Sequence, residues 1–161
     1  MLILRRSLLS LAAAGLAVLT PFAVEGADHH EGDGAQEEHE DEVLHESMEA
    51  LNTGLRELRG LMRAGEVDPM LPVLDGIQAA VVAGKGATPA TIAAVPEAQQ
   101  AAFLRDFRTE QLELLSKLVR VEELLLEGDV EAANTHLNEE VMSMKRGAHQ
   151  RFKTEGGWTP R

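Results

Sequence analysis

The chain has no cysteine, and that absence closes several routes at once. No disulfide can frame the fold, no CxxCH motif can attach a haem covalently, and no lipid can be added to an N-terminal cysteine. Stability must come from packing or from a bound ligand. Aromatics are also scarce, with four phenylalanines and one tryptophan in 161 residues. Positive charge is the minority sign: 15 Lys and Arg stand against 27 Asp and Glu, a net charge of −12. Such a chain will not bind nucleic acid or an anionic membrane surface by charge, and it suits a basic partner instead. No apolar run is long enough to span a bilayer comfortably.

What is present begins with "MLILRRSLLSLAAAGLAVLTPFAVEG". Arg5 and Arg6 precede an apolar stretch from Ser7 to Leu19, and small residues at Val24 and Gly26 follow. That order is the one a secretory signal peptide needs, with cleavage expected after Gly26 and export to the periplasm. Removing residues 1–26 takes the charge from −12 to −13 and leaves enough chain for one domain with a modest core. Residues 27–42, "ADHHEGDGAQEEHEDE", lack apolar periodicity and are dense in acid, so they are expected to form a disordered arm.

The rest reads as helix. Leu44, Met48, Leu51, Leu55, Leu58 and Met62 recur in steps of four and three, one buried stripe over roughly 43–64 that Gly65 should stop. A second segment starts near Asp68, with Pro69 suited to a first turn and Pro72 implying an irregular start, and continues to about Gly84. After the linker "GKGATPATIAAV", a third segment spans about 96–127 with Phe103, Phe107, Leu114, Leu118, Val121 and Leu125 on one stripe. Gly128 should end it and Asp129 should cap a fourth segment over 130–153, with Val130, Leu137, Val141, Met144, Ala148 and Phe152 inward. The tail 155–161 is expected to be loose. Four amphipathic segments, mostly short links and no strand-like alternation predict an all-α fold over 43–154, an up-down-up-down antiparallel four-helix bundle.

That topology has a chemical consequence. The start of the first helix and the end of the fourth share one end of the bundle, so Met48 and His149 should lie at matched depth, each a few residues from its helix terminus. A thioether and an imidazole so placed can ligate opposite faces of a flat iron macrocycle. Gly147 and Ala148 beside the histidine leave room for its edge.

The stretches "ESMEALNTGLRELR", "KGATP", "LRDFR", "EGDVEAA" and "KRGAHQRFK", in this order and spacing, resemble the cytochrome b562 family of soluble periplasmic haem proteins, and they cover nearly all of 43–153. The up-down bundle is that family's known architecture. The resemblance implies one non-covalent haem b with Met48 and His149 as axial ligands to the iron, Phe107 packed on the macrocycle and Lys145 near its edge. A second pocket aromatic of the family falls on Gln111, and an aromatic before the histidine falls on Ala148, which implies a looser, wetter pocket. The implied role is Fe(III)/Fe(II) electron transfer with a partner redox protein, as a monomer with no stable membrane association after cleavage. Nothing resembles a nucleophile with its base or a paired catalytic carboxylate, so no enzyme activity is expected. The alternative is a haem-free periplasmic helical bundle that buffers metal or contacts proteins. It draws on His29, His30, His39 and His45, which interleave with carboxylates.

Overall fold

A computed structural model describes residues 33–153 and 157–160. The leader and residues 27–32 lie outside the described residues. Everything described is helix, turn or coil, with no strand. Helix α1 is Asp33–Ala64, α2 is Met70–Gly84, α3 is Glu97–Leu126, and a fourth helix is built from α4, Val130–His136, a π-helical turn at Leu137–Val141, and α5, Met142–Lys153. A 3-10 turn at Ala90–Ala94 breaks the linker between α2 and α3.

Helix α1 starts ten residues before the expected Val43, so residues 33–42 are helical and not a disordered arm. Those residues include Ala, Gln and several Glu, which are strong helix formers, and carboxylates in a first turn favour the positive end of the helix dipole. The other termini follow the sequence closely. Gly65 and Gly128 have φ of +74° and +80°. After each glycine the chain closes paired carbonyl bonds: Glu66 N–H donates to Leu61 and Gly65 N–H to Met62, then Asp129 N–H to Leu124 and Gly128 N–H to Leu125. A left-handed residue satisfies the last carbonyls of a helix in this way, and glycine adopts it without steric cost. Asp129 then caps the fourth helix by accepting from Ala132 N–H at 2.9 Å. Pro72 falls in the first turn of α2, where its missing N–H costs nothing.

The main core is aliphatic: Leu51, Leu55 and Leu58 of α1 meet Leu74, Ile77 and Val81 of α2, Leu114, Leu118 and Val121 of α3, and Ala133, Leu137 and Val141 of the fourth helix. Helices α1 and α2 approach closely because Gly54 lies against Ile77 and Gly84 against Ser47. A separate cluster holds Phe103, Phe107, Phe152 and Trp158. Trp158 corrects the expectation of a loose tail. Its ring packs edge-on against Phe103 at 5.5 Å, and its Nε1–H donates to Asp106 Oδ2 at 3.2 Å. An indole carries the largest apolar surface of any side chain plus one donor, and both are satisfied here.

Candidate functional site

The site is built where α1 and α5 separate. Helix α1 packs along α2 but has no comparable packing against α5. Between them lies a groove of about 610 Å³, lined from α1 by His45, Met48, Glu49, Asn52, Thr53, Leu55, Arg56 and Arg59, and from α5 by Met142, Lys145 and Lys153. Leu55 is buried, while Met48 and Met142 are half-buried at the edge of the aliphatic core. The apolar floor is therefore rich in thioether. Around it stand four cations, Arg56, Arg59, Lys145 and Lys153, and none of them forms an ion pair among the described residues. Burial pushes the Lys145 ammonium below its ordinary pKa.

The four expected site residues separate into three settings. Met48 and Lys145 line the groove together. His149 is exposed and does not line it, but it stands one helical turn from both Lys145 and Lys153, on the side of α5 that those lysines present to the groove. Phe107 is elsewhere. It is 4% exposed in the aromatic cluster, with its ring edge-on to Phe152 at 5.4 Å. Phe107 is therefore not brought into the groove lining with Met48; Phe103, Phe152 and Trp158 share its cluster. Gln111, where a pocket aromatic was expected, is buried with its Oε1 unpartnered among protein atoms.

Behind His149, α5 is fixed to α3 by Arg151. Its guanidinium donates to Asp106 Oδ2 at 2.7 Å, to Glu110 Oε1 at 3.1 Å and to the Thr159 carbonyl at 3.0 Å. The side chains of Asp106 and Glu110 are each only 7% exposed. The same guanidinium lies 5.1 Å from the Phe152 ring centre. This junction sets how α5 presents its groove face, because Arg151, Phe152 and Lys153 are consecutive.

Sequence reasoning missed Arg56, Arg59, Met142 and Lys153. The arginines lie on the polar face of an amphipathic helix, where a charge reads as solvated, and only the separation of α1 from α5 turns them into a lining. Among the described residues no group of three His, Asp or Glu could hold a metal ion, and no helix is long and apolar enough to cross a membrane. No family model matches the chain, and searches of curated proteins and of solved structures return no match.

Proposed function

We propose that the chain is an exported electron-transfer protein that binds one non-covalent haem b in the groove between α1 and α5, on an up-down-up-down four-helix bundle. Three pairings support that topology. Ser47 lies by Gly84 and Gly54 by Ile77, so numbering runs in opposite directions on α1 and α2. Lys117 pairs with Glu140 and Glu110 with Arg151, the same relation between α3 and the fourth helix. Gln78 donates to Glu122 between α2 and α3.

The observation that carries the ligand assignment is the donor set of the groove. A floor of Met48, Leu55 and Met142 under four cations, in a chain of net charge −12, suits an apolar plate bearing carboxylates. Met48 would supply a thioether from α1, and His149 an imidazole from α5. Lys145, with its charged form disfavoured by burial, would gain a counter-ion. When bound, the cofactor would supply one-electron Fe(III)/Fe(II) exchange, with Met48 and His149 as the residues that would hold the iron and a thioether donor raising its potential. The protein's own part is to hold the ligands, exclude water from the Leu55 side and leave one edge open to a basic redox partner.

Titration of the purified protein with haemin, followed by absorbance, tests this. After reduction with dithionite, a sharp α band should be present at one equivalent of haemin and be lost in both Met48→Ala and His149→Ala. The exposure of His149 gives the alternative its footing: a haem-free helical protein would leave the haemin spectrum unchanged, and that result would overturn the proposal.

A further inference from the structure

Helix α3 is apolar on two sides. One side enters the core through Phe103, Leu114, Leu118 and Val121. On the other, Leu112, Val119 and Leu126 follow one another at intervals of seven residues and are 48%, 38% and 67% exposed, with Leu115 half-buried between the first two. They are three of only five large hydrophobics that the described residues leave exposed. Leu112, Leu115 and Val119 have the three-and-four spacing of a seam by which one helix packs on another, and Leu126 continues it one heptad on past Glu122, which bonds Gln78; a helix with a single buried face does not need such a row. Single exposed leucines are ordinary, but a row in heptad register is not.

The charges along the row identify the occupant. Arg105 and Arg108 precede Leu112 on the same stripe, and Glu123 and Glu127 lie at its far end, all four exposed. We propose that α3 pairs antiparallel with α3 of a second copy of this chain, forming a two-fold homodimer. With Leu112 set opposite the second copy's Val119, Arg108 falls opposite its Glu123, and Arg105 reaches the level of its Leu126 and Glu127. The two-fold axis makes each contact twice. A parallel pairing would instead place arginine on arginine and glutamate on glutamate. Arg120 already bonds Glu123 at 2.9 Å, but both side chains are about half exposed and can exchange partners. The groove between α1 and α5 takes no part in the seam. The dimer departs from the sequence expectation of a monomer and is independent of what the groove binds.

Sedimentation velocity of the purified protein across the micromolar range is the test. A concentration-dependent monomer–dimer equilibrium is expected, and Leu112→Glu with Val119→Glu should weaken it by about tenfold or more, as for loss of a central anchor. Because both positions are exposed, far-UV circular dichroism should be unchanged. Arg108→Glu and Glu123→Arg should each weaken association, and the double variant should restore it. A monomer at every concentration overturns the proposal. So does a dimer indifferent to Leu112 and Val119, which would place the interface elsewhere.

Discussion

Replacing Arg151 by methionine keeps most of the side-chain volume and removes a cation that bridges Asp106 and Glu110. In the native protein its guanidinium donates to both carboxylates at 2.7 and 3.1 Å, with the arginine side chain itself only 14% exposed. Removing one partner from a buried ion pair costs about 3–5 kcal/mol, far more than an exposed pair is worth, even though Asp106 keeps the Trp158 Nε1–H at 3.2 Å and the exposed Arg105 guanidinium at 3.5 Å. Domains of this size hold only about 5–15 kcal/mol in total and lose several degrees of Tm per kcal/mol, so a fall of about 10–25 °C is expected. Thermal unfolding by circular dichroism measures it. Arg151→Lys should recover only part of the loss, because a single ammonium lacks the planar fork that reaches two carboxylates at once. The triple variant Arg151→Met, Asp106→Asn, Glu110→Gln should regain most of it, since no buried charge then remains. A loss under about 1 kcal/mol for Arg151→Met would refute the reasoning and mean that water reaches both carboxylates.

Gly54→Ala and Gly60→Ala, in the same helix, should have opposite signs. A Cβ at Gly54 would meet Ile77 Cγ1 at 2.5 Å, an overpacking cost of about 1–3 kcal/mol against a gain in helix propensity of about 1, whereas a Cβ at Gly60 meets nothing and should stabilise by up to about 1 kcal/mol in urea unfolding. Trp158→Ala should cost about 3–5 kcal/mol, and in the native chain the emission of this single tryptophan should shift to the red on unfolding. Lys145 has a lowered folded pKa, so the unfolded chain binds more protons in the window between that value and the ordinary lysine range. Its contribution to stability therefore grows as pH rises through that window, and Lys145→Met should flatten this part of a stability–pH curve measured without ligand.

Helix existence and ends were legible because glycine and aspartate act within a few residues of where they stand: Gly65, Gly128 and Asp129 have the roles their chemistry predicts, whereas Pro72 lies in the regular first turn of α2 and not in the irregular start expected of it. The stripe of Leu51, Leu55 and Leu58 was legible for the same reason, since one period decides it. The acidic start of α1 was not, because a run of Glu and Asp reads as unable to bury surface although its residues favour helix locally. Trp158 could not be placed either. It is a single aromatic in a glycine-containing tail, and its partners Phe103 and Asp106 lie more than 50 residues away. At the candidate site, Met48 and His149 were paired by matching depth along two helices, while Phe107 and Lys145 came from the resemblance. Phe107 and His149 depend on the rotation of α3 and α5 about their own axes, which depth does not fix.

That rotation is set in the π-helical turn. Ala133, Leu137 and Val141 are each fully buried and four residues apart. On an uninterrupted α-helix each such step advances about 40°, so two consecutive fours carry the buried line about 80° away from the core. The wide turn at Leu137–Val141, closed by Met142 N–H donating to the Leu137 carbonyl, absorbs the drift and resets the phase of α5. Beyond it, Phe152 reaches the aromatic cluster, Arg151 reaches Asp106 and Glu110, and Lys145 and Lys153 face the groove. Inserting one alanine after the exposed Glu139 would add a residue beyond the one the wide turn already absorbs and rotate α5 by about 100° relative to α4. Either α5 then packs with a different face and Lys145 leaves the groove, or it frays. In both cases overall helicity should fall little, while Trp158 emission shifts to the red and the haemin spectrum expected of the parent is lost. If the insertion variant keeps both signals, the phase of α5 is fixed by Arg151 and Phe152 alone, and the π turn is only a consequence of their docking.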